Sequence, residues 1–259
     1  MFLWGYYMAF YNRSGKKLNL DFDGMESLTG GGCSTVYHNE DIIFKKYHPH
    51  IRKEIRLTPE GFDFFKNINN SHFIKLYDIF CDYDFFELIS FYLRRELFKV
   101  DGYTAKFYSD DSVNVLLEYK DYLLDNLREL EDLFNFFSDN RVYLDDIKRA
   151  NTILGKNGIV IIDPDLFVIN ASLRDVMDCD VYSLIGHRCS INLQNKKALV
   201  HLINDIFSCC LYGMSDSDNY LTADAFFNFE IREDTDITSE VSKRLQYVKK
   251  PIDYIEKKN

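Results

Sequence analysis

Asp146, Lys148 and Asn151 fall within six residues, in Leu144-Asp145-Asp146-Ile147-Lys148-Arg149-Ala150-Asn151. A carboxylate in a polar loop can orient an attacking hydroxyl and accept its proton. A lysine two positions on can offset the charge of a transferring phosphoryl group, and an asparagine can offer its carbonyl oxygen to a metal ion. Twelve residues after Asn151, the apolar run Ile159-Val160-Ile161-Ile162 ends on Asp163, followed by Pro164 and Asp165. A hairpin joining the two segments would bring Asp163 beside Asn151. Carboxylate and amide oxygens together suit Mg²⁺, a hard ion that keeps several waters. A third pattern lies earlier, in Gly30-Gly31-Gly32-Cys33-Ser34-Thr35-Val36. Glycines let the backbone approach a ligand closely, and its N–H groups can then face phosphates. Lys45, nine residues past Val36, falls on the next strand and can reach the same phosphates as a point charge. Alternation sends Lys46 to the opposite face, so only one of the two serves. Taken singly, each pattern has a plainer reading: a hairpin turn, a polar loop, a strand-ending turn.

The elements that must carry these groups can be read from pattern. Thr35 to Tyr37 and Ile42 to Lys45 alternate as strands about a turn at His38 to Asp41. Lys17 to Phe22, Ile74 to Phe80 and Gly102 to Tyr108 read as further strands, and the apolar N-terminus as a first one. Thr58-Pro59-Glu60 opens a helix, with Thr as cap, Pro in the first turn and an acid after it. Leu116, Tyr119, Leu123, Leu127, Leu130, Phe134 and Phe137 step by three and four along one long amphipathic helix whose other side is polar. Thr152 to Leu154 and Ile159 to Ile162 flank a turn, and Leu199 to Leu211 mark a second buried helix. The predicted fold class is α+β, with a β-rich part over residues 1–108 and a mainly helical part over 109–259.

Composition narrows the function. Of 259 residues, 46% are hydrophobic and 28% charged, which fits a folded soluble protein. The net charge of −10 argues against a basic nucleic-acid-binding face. No apolar run is long enough to span a bilayer. The N-terminus has neither a basic start nor a small-residue cleavage site, so no signal peptide is expected. Six cysteines without a C-x-x-C spacing are expected to be reduced and mostly buried, in a cytoplasmic protein. His48, His50 and His72 lack a metal-site spacing and read as surface or turn residues, and Cys33 as space-filling.

In their order along the chain these blocks resemble the protein-kinase fold family, which has a glycine-rich loop, a strand lysine, an Asp-x-Lys-x-x-Asn catalytic loop and a strand-end metal Asp. Leu28 to Tyr37 is similar to the family's glycine loop, with Ser34 where the third glycine usually stands. Ile42-Ile43-Phe44-Lys45 resembles the strand-lysine motif. Asn70 to Phe80 is similar to the segment after the C-helix, and Gly102 to Tyr108 to the strand leading into the hinge. The resemblance covers roughly residues 17 to 211.

It implies a bilobal protein-kinase-like fold and an ATP-dependent kinase that moves the γ-phosphoryl group to a hydroxyl, with a protein Ser/Thr as acceptor. It assigns ATP contacts to Gly30, Gly31, Gly32, Ser34, Val36, Lys45, Ala105 (the gatekeeper position) and Phe107. Asp146 and Lys148 become catalytic, and Asn151 and Asp163 hold Mg²⁺. Glu60 is the implied partner of Lys45, with Glu54 as the alternative. No nucleic acid or membrane is expected as a partner. The departures narrow the resemblance. Leu144-Asp145-Asp146 replaces His-Arg-Asp, so the arginine that grips an activation-loop phosphate is missing. Asp163-Pro164-Asp165 replaces Asp-Phe-Gly, and no Ala-Pro-Glu follows. These features are also similar to aminoglycoside-type phosphotransferases, for which Asp175, Asp178 and Asp180 would supply acids near a cationic small substrate. A pseudokinase acting as an interaction module is the non-catalytic alternative.

Overall fold

The computed structural model describes residues 9–18, 25–28, 32–51, 54–83, 100–110, 119–156, 158–172, 190–212 and 227–246. Gly30 and Gly31 lie outside them, as do Asp175, Asp178 and Asp180. The chain divides into two compact units. The first comprises Met1–Asn69 and Ile74–Tyr108, the second Asn70–Phe73 and Ser109–Asn259. The fold is α+β, and among the described residues it has a six-stranded antiparallel sheet and four α-helices. No helix among them is long and apolar enough to cross a membrane.

The first unit holds β1 (Ala9–Asn12), β2 (Glu26–Leu28), β3 (Ser34–His38), β4 (Ile42–Tyr47), α1 (Pro59–Lys66), β5 (Leu76–Tyr83) and β6 (Gly102–Lys106). Its strands run in the order β1-β5-β6-β4-β3-β2. Of the strand expected over Lys17 to Phe22, the described residues show only a bridge between Lys17 and Tyr11. The β3–β4 turn is held by Asn39, whose side-chain oxygen accepts from the Asp41 and Ile42 N–H groups at 3.0 and 2.9 Å. Thr58 caps α1 through its hydroxyl, which accepts from Gly61 N–H at 3.1 Å, and Pro59 follows where no N–H is needed.

Strand alternation sorts β4. Phe44 points to one face, where its ring stacks on Phe80 at 4.2 Å and meets Phe10 edge-on at 5.3 Å. Lys45 points to the other face beside Tyr47 and Tyr103. Gly102 makes this close pairing possible. A Cβ there would lie 2.0 Å from the Lys45 carbonyl oxygen and 2.3 Å from the Phe80 ring. Gly102→Ala must therefore force β4 and β6 apart. We expect it to lower stability by about 3 kcal/mol, read as a lower urea midpoint at unchanged slope; an unchanged midpoint would mean that the strands can separate freely.

The second unit holds α2 (Tyr119–Asp139), β7 (Thr152–Gly155), β8 (Gly158–Ile161), α3 (Ile191–Tyr212) and α4 (Ile237–Leu245). Helices α2 and α3 pack together, and α4 packs on α2. Leu123, Leu127, Leu130, Phe134 and Phe137 of α2 are buried, as the three-four spacing predicts, and so are Leu199, Leu202, Ile203, Ile206 and Phe207 of α3. Leu116 lies outside the described residues. The polar side of α2 is not wholly solvated, because Asn126 and Glu131 are buried. Glu131 accepts from the Ile237 and Thr238 N–H groups at 2.8 and 2.9 Å, and so satisfies the first turn of α4. Asp236 caps the same helix. The Ser239 N–H donates to its carboxyl and is the main cause holding it below the usual carboxylate range.

Candidate functional site

The loop after α2 is tied at its base by one side chain. Asn195, fully buried on α3, accepts from Leu144 N–H at 3.0 Å and donates to the Val142 carbonyl at 2.8 Å and the Ser138 hydroxyl at 3.0 Å. Tyr143 pairs with Val168 across the same base. The Asp145 carboxylate then accepts from the Asp146 N–H at 2.9 Å, and Asp146 turns left-handed at φ 59°. Aspartate is among the few residues that adopt that conformation readily. The Asp145 side chain thereby supports this turn.

The turn gathers three sequence-predicted residues. Lys148 donates from Nζ to Asp146 Oδ1 at 2.8 Å, and Asn151 donates from Nδ2 to Asp146 Oδ2 at 2.9 Å and to its carbonyl at 2.8 Å. Two acceptors facing one amide fix its orientation: the NH₂ is turned inward, and Oδ1 accepts no hydrogen bond among the described residues. The side chains of Asp146 and Lys148 remain about one-third exposed, at 37% and 35%. Each Asp146 oxygen keeps capacity to accept a further hydrogen bond. Arg149 fastens the loop on its other side, to the Thr152 carbonyl at 2.7 Å and to Asp110 at 3.0 Å.

Strands β7 and β8 form the expected hairpin, with Thr152 opposite Ile161 and Gly155 opposite Gly158. One step beyond, the Ile162 N–H donates to the Asn151 carbonyl at 3.0 Å. Asp163 follows, so it and Asn151 share the open end of the hairpin. The Asp163 carboxylate accepts from Asp165 N–H at 3.4 Å, and Asp165 is buried.

The hairpin is buttressed by residues that the sequence pattern left unassigned. Asn126 Oδ1 accepts from Ile159 N–H at 3.2 Å, and Tyr122 donates its hydroxyl to the Gly155 carbonyl at 2.9 Å. His72 lies in a turn, as expected, but is buried and not at the surface. Its ring bonds the Ile159 carbonyl at 2.8 Å and Glu129 at 3.0 Å. Gly158 has φ 135°, and a Cβ there would meet Asn126 at 2.6 Å, so this close fit requires glycine.

Asn151 and Asp163 are the oxygen donors expected for a metal ion, and both lie at this end of the hairpin. Among the described residues no three His, Cys, Asp or Glu side chains converge to hold a metal. A single carboxylate with one amide oxygen fits Mg²⁺, which takes one or two protein carboxylates together with water and substrate phosphates.

In the first unit, Lys45 is buried and lies opposite Val36 on one side and Tyr103 on the other, while Lys46 reaches over Phe10. The two lysines thus occupy opposite faces. Among the described residues, a Cβ added at Gly32 would meet nothing within 4 Å. Ser34 is buried at the start of β3, and Cys33 before it is exposed, not space-filling. Ala105 is fully buried in β6, between Ile43 and Leu76. Phe107 stacks on His38 at 4.6 Å with the rings 9° apart. Next to it, burial pushes the Tyr108 phenol above its ordinary value.

Glu60 does not take the expected place. It is 69% exposed on the first turn of α1 and lies 4.0 Å from Arg13, so its ion pair is not with Lys45. An acid in a first helical turn is stabilised there by the helix dipole, whatever its tertiary partner. Glu54 is exposed in the turn before that helix.

No protein-family model and no curated protein matches the chain. Among solved structures, the crystal structure of Cex1p is a distant neighbour. The two share 13% identity over 70% of this chain and 35% of that one, with a TM-score of 0.48. This chain thus spans about a third of the length of that one.

Proposed function

We propose that the chain is an ATP-dependent phosphotransferase with a bilobal protein-kinase-like fold, acting on a hydroxyl acceptor, with a protein Ser/Thr as the leading class. The observation that carries this reading is the Asp146–Lys148–Asn151 cluster, in which the Asn151 amide is locked onto Asp146 and its oxygen is turned outward at the hairpin end that also carries Asp163. A structural cap would need only the inward half of that arrangement.

The roles follow from the groups. The Asp146 carboxylate orients the acceptor hydroxyl and takes its proton as the new O–P bond forms and the bond to the β-phosphate oxygen breaks, releasing ADP. Lys148 holds that carboxylate and offsets charge on the phosphoryl group. Lys45 binds nucleotide phosphates, and the backbone around Gly32 approaches them. Asn151 and Asp163 would hold Mg²⁺, which neutralises phosphate charge when bound.

The test is transfer of label from γ-labelled ATP with Mg²⁺, using the full chain alone and with a cell lysate. Incorporation into protein supports the reading, and incorporation into small molecules moves the acceptor to the aminoglycoside type. A nucleotide-induced rise in melting temperature without any transfer overturns catalysis in favour of a nucleotide-binding module. Lys45→Ala is expected to shrink that rise and Lys46→Ala to leave it. The reverse result would place the phosphate-binding face on the other side of β4.

A further inference from the structure

His48 follows β4 directly and makes two contacts with Gly32 and Cys33 and one with Thr35 on β3. Its ring Nδ1 lies 3.1 Å from the Gly32 carbonyl oxygen, its ring Nε2 lies 3.0 Å from the Thr35 hydroxyl, and its backbone N–H donates to the Cys33 carbonyl at 3.0 Å. A carbonyl can only accept, so Nδ1 carries the hydrogen. A hydroxyl can donate or accept, so Nε2 is satisfied by Thr35 in either case. Thr35 sits on β3, opposite Lys46 in the sheet, and gives the ring a rigid anchor.

The consequence concerns one peptide plane. The Gly32 carbonyl and the Cys33 N–H belong to the same trans peptide, where the two point in opposite directions. Holding the carbonyl against His48 therefore turns the Cys33 N–H away from the ring. That N–H donates to no group among the described residues, and the turn around it is exposed at both Gly32 and Cys33. A free peptide could rotate and present its carbonyl on that side, which would repel an anion.

We propose that His48 is a positioning residue: it fixes the Gly32–Cys33 peptide so that the Cys33 N–H faces a phosphate of the bound nucleotide. The inference rests on the phosphotransferase reading and adds to it a residue outside the glycine loop, the strand lysine and the catalytic loop. It selects for the phosphate chain and not for the base. The expected signature is a change in the preference for ATP over adenosine.

The experiment measures binding of ATP with Mg²⁺ and of adenosine to the full chain by titration calorimetry, in wild type and three variants. His48→Ala is expected to weaken ATP about tenfold, the scale of a lost hydrogen bond to a charged group, and to leave adenosine within twofold. His48→Asn, whose amide can replace Nδ1 as donor to Gly32, is expected to restore ATP binding to within about threefold. Thr35→Val keeps the strand shape and removes only the anchor, and a partial loss for ATP alone is expected. Equal losses for ATP and adenosine in His48→Ala would make His48 a mere structural support and overturn the proposal. Unchanged ATP preference in all three variants would overturn it too, while leaving the phosphotransferase reading standing. A wild-type chain that binds neither ligand would overturn both.

Discussion

Asp146→Asn is expected to lower phosphoryl transfer by about 10²-fold or more, the scale of general-base contributions, while ATP affinity stays within a few-fold. Asparagine is the informative replacement. It tolerates the left-handed backbone that Asp146 adopts at φ 59°, which alanine would strain. Its side-chain oxygen can go on accepting from one of Lys148 and Asn151, and Asn151 keeps its bond to the Asp146 carbonyl, so two of the three contacts that hold the loop remain. What it loses is the charge that orients the acceptor and the capacity to take its proton. Asp145→Asn is the control. Its oxygen can go on accepting from the Asp146 N–H, so turnover should stay within a few-fold of wild type. Full activity in Asp146→Asn, or inactivity confined to Asp145→Asn, would show that the roles have been drawn one residue out of place. The measurement is initial rate with labelled ATP, alongside nucleotide titration.

Asp163→Ala should abolish transfer and make ATP binding insensitive to Mg²⁺. The open end of the hairpin offers one carboxylate and one amide oxygen, and with so few protein donors the loss of the carboxylate removes most of the site's charge. The strand ahead of Asp163 is fixed by the Ile162 N–H and by the pairing of Ile161. ATP binding compared with and without Mg²⁺ separates the outcomes. Unchanged turnover would reduce Asp163 to a turn residue.

The parts of the fold that were legible in the sequence were those specified locally. The start of α1 is written in Thr58-Pro59, the β3–β4 turn in Asn39, and the buried stripe of α2 in leucines and phenylalanines three and four apart. The Asp146–Asn151 contact spans five residues of one loop, so spacing alone could suggest it. The supports of that loop could not be read in this way. Asn195 reaches it from α3, His72 reaches β8 from before β5, and Glu131 caps a helix that begins more than a hundred residues later. Each is a polar residue whose burial is stabilised by partners distant in sequence, and in the sequence each looks like a surface residue. His48 was closer to being found. The β3–β4 register carried one step past Ser34 and Tyr47 puts it opposite Cys33, beside Gly32. Glu60 misled for the opposite reason, since the local preference for an acid in a first turn gives it a place without Lys45.

The second unit is not contiguous in the chain. Asn70–Phe73 belong to it, although Asn69 before them and Ile74 after them belong to the first. Phe73 pairs with Ile161, the Ile161 N–H donates to the His72 carbonyl at 2.9 Å, and the His72 ring holds the Ile159 carbonyl. A fragment beginning at Ser109 therefore carries the whole Leu144–Asn151 loop but lacks the four residues that brace β8, the strand ahead of Asp163. Residues 70–73 are made before β8 and gain these partners only once it has emerged, so a helical half made without them lacks these contacts. Gene rearrangements that exchange the helical half for a foreign one would have to exchange this short segment with it.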